Sequence, residues 1–171
     1  HGFTDAYTTF GDQRFLDAAL KNAMFIFEKQ YRADGGLNHS YKNGISTING
    51  FLEDYAFVID ACIALYQATF DEVWLHRAKQ LADYTIKHFY DDADGSGMFD
   101  FTSDLDAALI ARKMELQDNV IPASNSVMAN NLFLLGNYFE NEKYLEISSQ
   151  MMHTMQTKVV KWGSSYSNWC M

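Results

Sequence analysis

The sequence contains few of the residues that cross-link or interrupt a folded chain. Its 171 residues include one proline, ten glycines and two cysteines, and Cys62 and Cys170 are too far apart to form a CxxC motif. Two such cysteines give no disulfide framework, which is typical of a protein in a reducing compartment. The shortage of turn residues favours long helices over a β fold with many turns. We therefore expect a mostly helical, cytoplasmic protein.

Positively charged residues and long hydrophobic runs are scarce as well. Lysine and arginine total 13 against 22 aspartate and glutamate residues, so the formal net charge is −9, and no basic stripe offsets it locally. Such a chain repels nucleic acid and anionic membrane surfaces. No stretch approaches about eighteen uncharged apolar residues, and no signal-like segment opens the sequence. We expect neither nucleic acid nor a membrane among the partners.

Apolar residues are nevertheless abundant enough to bury a core. They make up 48% of the chain, and the length corresponds to about one domain. We therefore treat residues 1–171 as a single unit. The sequence starts at His1 and stops at Ser-Asn-Trp-Cys-Met (167–171) without a polar tail. We expect this unit to be a segment of a longer protein.

Three short motifs repeat along the chain. They are Phe10-Gly-Asp-Gln-Arg-Phe-Leu16, Phe70-Asp-Glu-Val-Trp-Leu75 and Phe139-Glu-Asn-Glu-Lys-Tyr-Leu145. Each has a phenylalanine, then a polar turn, then an aromatic-leucine pair that opens a helix. Self-similarity of this kind indicates an architecture built from repeated supersecondary units.

Hydrophobic periodicity predicts helices of two kinds. Residues 12–29, 71–90 and 141–160 carry apolar side chains on one face, as expected for outer helices with one side in water. Residues 52–70 and 125–139 are apolar almost all round, as expected for inner helices that are buried on both sides. The predicted order is therefore outer, inner, outer, inner, outer.

The lengths of the connections predict how these helices are arranged. Each inner helix is followed almost at once by an outer helix, which predicts antiparallel hairpins. The outer-to-inner connections, residues 30–51 and 91–124, are long, and loops of that length are commonly functional. Because the helices run antiparallel, both long loops must lie at the end where the inner helices begin. We predict an all-α fold, an (α/α) toroid of helical hairpins with about three repeats present, and hence a partial ring.

The run Asp91-Asp-Ala-Asp-Gly-Ser-Gly97 has some features of a calcium loop. An EF-hand loop needs acids or amides at positions 3 and 5 and a glutamate at position 12, and these positions hold Ala93, Gly95 and Thr102. The match fails. We predict instead a turn between two short strands, one of them at residues 97–101, and we expect no metal ion and no cofactor.

Three further motifs resemble one family in their order and spacing: Gly50-Phe-Leu-Glu-Asp-Tyr-Ala-Phe57, Ala68-Thr-Phe-Asp71 and Ile121-Pro-Ala-Ser-Asn-Ser126. Over essentially its whole length the chain is similar to the C-terminal helical region of thioredoxin-domain-containing proteins related to spermatogenesis-associated protein 20. The resemblance implies a helical toroid like those of six-hairpin glycosidases and N-acylglucosamine 2-epimerases. It also implies a preceding thioredoxin-like domain, whose redox cysteines are not in this sequence. That domain is therefore an expected partner, and no redox activity is implied for the chain itself.

Glu53 and Asp54 begin an inner helix at the end where the long loops are expected. Negative side chains in a first turn are favoured by the helix dipole, so capping is one interpretation. The other is that these carboxylates lie at the floor of a polar cleft, where they bind sugar hydroxyls or act as acid and base. Adjacent helical residues point about 100° apart, so this pair does not flank one glycosidic bond by itself. We expect Asp118, which precedes the next inner helix, to be the second carboxylate.

His39 is the only histidine in a long loop. It is a candidate for proton transfer beside a sugar carbonyl, as in the epimerases that the fold resembles, because histidine titrates in a suitable range. A hydrogen-bonding role within the loop is the alternative. Tyr41, Tyr55 and Phe99 are candidates to stack on a sugar ring, with core packing as the alternative in so aromatic a chain.

Ser124 and Asn125 open the second inner helix after Pro122, which is a helix-start signal. The unpaired N–H groups of that helix could instead receive a carboxylate or phosphate oxygen of a ligand. No Gly-x-Ser-x-Gly elbow is present, so we exclude a serine hydrolase. We expect Arg112 and Lys113 either to form ion pairs or to meet an anionic group of a substrate.

Two functions of different classes are consistent with these patterns. One is a domain that binds or processes carbohydrate in a cleft formed by the two long loops, with sugar isomerisation as a variant that requires His39 and a second base. The other is a noncatalytic scaffold that packs against the thioredoxin-like domain or a partner chain.

Overall fold

The computed structural model describes residues 1–92, 95–107 and 112–170. Within these ranges the chain forms six α-helices and one two-stranded antiparallel sheet. The helices are α1 (Gly2–Phe10), α2 (Gln13–Lys29), α3 (Leu52–Thr69), α4 (Glu72–Phe89), α5 (Ser124–Tyr138) and α6 (Glu142–Trp162). Between α2 and α3 lie the strands β1 (Asn38–Lys42) and β2 (Ile45–Asn49), and two 3₁₀ turns, Gly163–Ser165 and Ser167–Cys170, follow α6.

The helices pair as three antiparallel hairpins, α1–α2, α3–α4 and α5–α6. Because α3 also packs against α1 and α5, these three helices form an inner row, and α2, α4 and α6 form an outer row. This arrangement confirms the predicted toroid-type fold of helical hairpins. It adds α1, an inner helix of nine residues that the sequence did not predict, since so short a helix gives a weak periodicity signal.

The three hairpin turns share one structure. Each contains a residue in the left-handed conformation: Gly11 (φ 68°), Phe70 (φ 57°) and Glu140 (φ 50°). The next residue is the N-cap of the outer helix, and its side chain accepts an N–H of the first turn: Asp12 from Arg14, Asp71 from Val73 and Asn141 from Tyr144. These bonds satisfy amides that have no partner within the helix. The cap explains why the repeated sequence motifs have aspartate or asparagine at this position.

The inner helices α3 and α5 are buried on nearly all sides. In α3 the side chains of Leu52, Ala56 and Ile59 have no exposed surface. The amide of Asn131 in α5 donates a hydrogen bond to the carbonyl oxygen of Ala56 at 2.8 Å, which links two neighbouring inner helices. Removal of these apolar faces from water is the main contribution to the stability of the array. None of the helices formed by the described residues combines the length and hydropathy needed to cross a bilayer.

The predicted boundaries of the five long helices agree with the structure to within two residues. The strand predicted at residues 97–101 is wrong. Phe99 forms an isolated bridge with Tyr90, and the backbone around it bonds elsewhere, because the N–H of Phe101 donates to the carbonyl oxygen of Lys113 at 2.7 Å. The turn predicted at 91–97 includes residues 93 and 94, which lie outside the described residues.

The first long loop carries a β-hairpin that the sequence analysis did not predict. Its turn consists of Asn43 (φ 53°) and Gly44 (φ 80°), and Asn-Gly with positive φ at both positions is the pattern of a type I′ turn. The register pairs Lys42 with Ile45 directly beside this turn. The Asn-Gly dipeptide was therefore a signal from which the hairpin could have been predicted.

Both long loops lie at the end of the array where α3 and α5 begin, as predicted. The N–H of Leu52 donates to the carbonyl oxygen of Phe101 at 2.9 Å. The side-chain amide of Asn49 donates to the carboxylate of Asp106 at 3.0 Å. These bonds join the first loop to the second across the start of α3. We call this end of the molecule, formed by the two loops and the first turns of α3 and α5, the rim.

Candidate functional site

A row of four side chains crosses the rim and joins the two long loops. The ring of His39 lies edge-on to Phe51, with 5.0 Å between ring centroids, and Phe51 stacks on Phe101 at 5.1 Å. The Nζ atom of Lys113 lies 5.8 Å from the centroid of the Phe101 ring, which is within the range of a cation–π interaction. We call these four residues the rim stack. Because its phenylalanines are half-buried and its two ends are exposed, the stack offers a partly open aromatic surface.

Asp54 binds His39 at one end of the rim stack. The Nδ1 atom of His39 lies 2.9 Å from Oδ2 and 3.1 Å from Oδ1 of Asp54. The same carboxylate accepts the N–H of Phe51 at 2.8 Å, so it caps α3 and binds the imidazole at the same time. The capping role and the functional role expected for Asp54 are therefore compatible with each other.

Glu53 lies beside this pair in an unusual electrostatic environment. Partial burial raises the pKa of the Glu53 carboxyl above its ordinary value, and the negative charges of Asp54 and Glu115 raise this pKa further. His39 and Lys113 act on this pKa in the opposite direction without cancelling the shift. Glu53 therefore keeps its proton to a higher pH than an exposed glutamate does, which suits a group that donates a proton or a hydrogen bond.

Glu115 is a further carboxylate of this region, held at the start of α5. Its Oε2 atom accepts the N–H of Ser124 at 3.2 Å, and its carbonyl oxygen accepts the side-chain amide of Asn125 at 3.0 Å. A depression of about 360 Å³, lined by residues 113–119, includes Glu115 and Lys113. We call Glu53, Asp54 and Glu115 the rim acids.

Asp118, which the sequence analysis predicted to be the second carboxylate of the site, forms hydrogen bonds with the backbone. Its carboxylate accepts the N–H of Ala123 at 2.9 Å and the N–H of Asn168 at 2.8 Å. It thereby ties the loop before α5 to the 3₁₀ turn after α6. Among the carboxylates of the second long loop, Glu115 raises the pKa of Glu53, and a catalytic role for Asp118 stays a prediction.

Tyr55, Phe99, Ser124 and Asn125 are fully buried. For the two aromatic residues this is the core packing expected as the alternative to stacking on a sugar. Ser124 and Asn125 begin α5, which is the helix-start role expected as the alternative to ligand binding. The hydroxyl of Tyr55 accepts the N–H of Leu37 at 2.8 Å. The side chain of Asn125 accepts the N–H of Phe99 at 2.8 Å and donates to the carbonyl oxygen of the same residue at 3.0 Å. These side chains support the rim from beneath, and they present no surface to a ligand.

Tyr41 and Arg112 reach the surface. Tyr41 lies two residues along β1 from His39, its ring is edge-on to Phe25 at 5.1 Å, and 37% of it is exposed, so it stays a candidate for ligand binding. The guanidinium of Arg112 donates to the carboxylate of Asp100 at 3.0 Å. Of the two roles expected for Arg112, the structure has the ion pair.

Sequence reasoning missed three residues of the rim: Phe51, Phe101 and Glu115. Phe51 directly precedes the helix that carries Glu53 and Asp54, so its position was a usable signal. The other two belong to the second long loop, where no local pattern marks them. Across the described ranges, no group of three or more His, Cys, Asp and Glu side chains is arranged to hold a metal ion.

Comparison with known proteins identifies relatives that are much longer than this chain. No protein-family model matches the sequence. The chain is 38% identical over 154 residues to spermatogenesis-associated protein 20 of Mus musculus and 30% identical over 154 residues to that of Homo sapiens, and each alignment covers 85% of this chain. It is also 30% identical over 156 residues to an uncharacterized protein of Caenorhabditis elegans. The chain spans about a fifth of the length of these relatives (19%, 20% and 21%).

Two solved structures of sugar enzymes have a similar fold. A GH76 α-mannanase of Bacteroides thetaiotaomicron superposes with a TM-score of 0.71 at 16% identity, covering 92% of this chain and 42% of that one. A cellobiose 2-epimerase from Bacillus thermoamylovorans superposes with a TM-score of 0.65 at 15% identity, covering 91% and 42%. At these identities the similarity establishes the (α/α) toroid fold.

Proposed function

This chain is a homologue of a region of spermatogenesis-associated protein 20, and on that premise we propose that it forms a carbohydrate-binding cleft at its rim. One observation carries the proposal: the rim acids and the rim stack come from separate segments of the chain and meet at the start of α3 and α5. Aromatic surface beside a few fixed polar groups is the usual composition of a small-molecule site. Carboxylates and an imidazole are suitable partners for sugar hydroxyls.

The structural neighbours support the choice of ligand class. Their names denote an α-mannanase and a cellobiose 2-epimerase, both enzymes that act on sugars. We extend to this chain only the class of a neutral, hydroxyl-rich ligand. The acidic rim supports that class, because the negative charges of Asp54 and Glu115 repel an anionic ligand.

We propose further that the longer protein chemically processes the sugar that it binds. Glu53, whose pKa is raised by burial, is suited to donate a proton, and Glu115 supplies a second carboxylate from the other loop. Cleavage of a glycosidic bond needs two carboxyl groups in different environments. Isomerisation of a sugar instead needs a proton acceptor such as His39.

Titration calorimetry with cellobiose, α-mannobiose and mannose tests the binding proposal. We expect the chain to bind at least one of these sugars and the variant Glu53→Ala to bind it about tenfold more weakly. The matched control is Glu72→Ala, which removes a glutamate from the first turn of the outer helix α4 and is expected to bind like the wild type. Absence of binding by the wild type, or equal weakening in both variants, contradicts the proposal.

A second candidate function, a scaffold, is favoured by one apolar groove. The groove has a volume of about 180 Å³ between α5 and α6, and its lining includes Phe133, Met152 and Trp169. Phe133 and Met152 are 53% and 42% exposed, and exposed apolar patches commonly mark interaction surfaces. The occupant we propose is the thioredoxin-like domain implied for the longer protein. In the longer protein, Met152→Glu is expected to abolish the contact between this helical region and the thioredoxin-like domain and to leave sugar binding unchanged.

We also propose a cytoplasmic location. Cys62 and Cys170 are both free thiols, as expected for a reducing compartment. Fractionation of cells followed by detection of the protein tests this, and recovery in a secretory fraction contradicts it.

A further inference from the structure

We infer that Asp54 is a positioning residue, which fixes the tautomer of His39 so that Nε2 accepts a hydrogen bond from a ligand hydroxyl at the rim. The ligand class is a neutral polyol such as a sugar. This ligand role rests on the proposed carbohydrate cleft, whereas the tautomer is a property of the chain alone. The two parts can therefore be tested separately.

The contact between His39 and Asp54 determines which ring nitrogen carries the hydrogen. An ionised carboxylate accepts hydrogen bonds and donates none. Both oxygens of Asp54 lie within 3.1 Å of Nδ1, so Nδ1 is the donor in this contact. A neutral imidazole carries one N–H hydrogen, which leaves a lone pair on Nε2.

Asp54 is itself held in place, so it can act as a fixed support for the ring. It lies in the first turn of α3, and its Oδ2 atom also accepts the N–H of Phe51 at 2.8 Å. The imidazole of His39 packs edge-on to the ring of Phe51 at 5.0 Å. Two residues at the start of one helix thus restrain the imidazole, and groups fixed on rigid elements keep their geometry better than groups on free loops.

The β-hairpin is distorted at the position of His39, which is an observation independent of the Asp54 contact. The register pairs Ser40 with Thr47, so His39 lies opposite Ile48. Ile48 has a φ of 64°, a left-handed conformation that is costly for a β-branched residue. Such strain persists only where the surrounding structure holds it. The hairpin therefore departs from regular pairing at His39, the residue whose imidazole contacts Asp54 in the first turn of α3.

The charges beside His39 favour a neutral ligand. Partial burial and the negative charges of Asp54 and Glu115 raise the pKa of the Glu53 carboxyl, so both carboxylates act on this part of the rim. A ligand hydroxyl donates a hydrogen bond to Nε2 of His39 without adding a charge. The negative charges of Asp54 and Glu115 disfavour a phosphate or carboxylate in the same place.

Long-range ¹H–¹⁵N spectra of the histidine side chains test the tautomer in the chain without added sugar. We expect the Nδ1–H form for His39 in the wild type, and a shift towards the Nε2–H form in Asp54→Ala, because no acceptor then holds the hydrogen on Nδ1. Asp54→Asn keeps an acceptor oxygen and is expected to keep the wild-type tautomer. His88 is an internal control, since its Nδ1 contacts Asp104 at 2.8 Å and its tautomer should not change.

An Nε2–H tautomer for His39 in the wild type, or an unchanged tautomer in Asp54→Ala, overturns the inference. Should Asp54→Ala fail to fold, which loss of the His88 signature would reveal, the wild-type tautomer and its retention in Asp54→Asn decide the question.

Titration with cellobiose and α-mannobiose tests the ligand role. We expect about tenfold weaker binding by Asp54→Ala and near wild-type binding by Asp54→Asn. Equal binding by Asp54→Ala and the wild type overturns the ligand role assigned to His39. If the wild type binds neither sugar, the proposed function fails, and the tautomer result still decides whether Asp54 positions the ring.

Discussion

Phe51 and Phe101 lie face to face, with their ring centroids 5.1 Å apart and their planes 12° from parallel. The first ring belongs to the residue before α3, and the second belongs to the other long loop. The N–H of Leu52 donates to the carbonyl oxygen of Phe101 beside them. Stacking and hydrogen bonding together hold the two loops at one rim, and the proposed cleft depends on this junction.

A double-mutant cycle measures the energy of this junction. We predict that Phe51→Leu and Phe101→Leu each lower the free energy of unfolding and that the pair is coupled by about 0.5–1.5 kcal/mol, because both variants remove the same ring contact. The measurement is urea unfolding of the wild type, the two single variants and the double variant. Additive effects would mean that the two rings do not contact each other.

The elevated pKa of Glu53 predicts a pH-dependent stability. Its pKa in the folded chain is raised above the ordinary value of 4.5, so at pH values below 4.5 the carboxyl is protonated in both states and has little effect. Above that pH the unfolded chain loses the proton more readily, and the wild type loses stability as the pH rises through the raised pKa. We therefore predict that Glu53→Gln is more stable than the wild type at pH 7 and that this gain disappears at acidic pH.

Urea unfolding between pH 4 and pH 8 checks this prediction, with Glu72→Gln as the matched control. Glu72 also lies in a first helical turn, where a negative charge interacts favourably with the helix dipole by about 0.3–1 kcal/mol. The control is therefore expected to be less stable than the wild type at pH 7. A gain of the same size in both variants would show that the environment of Glu53 is not unusual.

Asp118 is predicted to stabilise the fold without contributing to sugar binding. Asp118→Ala removes the acceptor for the N–H groups of Ala123 and Asn168, which is expected to cost about 1–3 kcal/mol. The exposed neighbour Gln117 is the control, because Gln117→Ala is expected to change the free energy of unfolding by less than about 0.5 kcal/mol. Loss of sugar binding without loss of stability in Asp118→Ala would contradict this prediction and would support a role of Asp118 in the site.

Asn125 is predicted to be essential for the stability of the rim. Asn125→Ala leaves the N–H and the carbonyl oxygen of Phe99 without their partners in the buried interior, at a cost of about 2–3 kcal/mol. Thermal and urea unfolding measure this cost, with Asn137→Ala on the exposed face of the same helix as the control. Equal stability of the two variants would contradict the buried role of Asn125.

The helices could be predicted from the sequence because their signals are local. Hydrophobic periodicity separated the inner helix α3 from the outer helix α4, and the repeated cap residues, such as Asp71, marked where each outer helix begins. The β-hairpin was missed although Asn43 and Gly44 carry a strong turn signal.

The site could be predicted only in part, because its composition depends on long-range packing. Glu53 and Asp54 were found from their place at the start of α3. Whether Glu115 or Asp118 affects the pKa of Glu53 depends on how the second long loop folds. The two residues are three positions apart in that loop, and no local sequence pattern distinguishes their roles. The burial of Tyr55 likewise results from the first long loop, whose Leu37 N–H covers its hydroxyl.

The most direct test of the carbohydrate cleft is an NMR titration of the ¹⁵N-labelled chain with cellobiose and with α-mannobiose. We predict saturable amide shifts at the rim stack and the rim acids, which lie far apart in the sequence, and no shifts at the hairpin turns around Phe70 and Glu140. Shifts confined to the groove between α5 and α6, or no shifts with either sugar, would contradict the account.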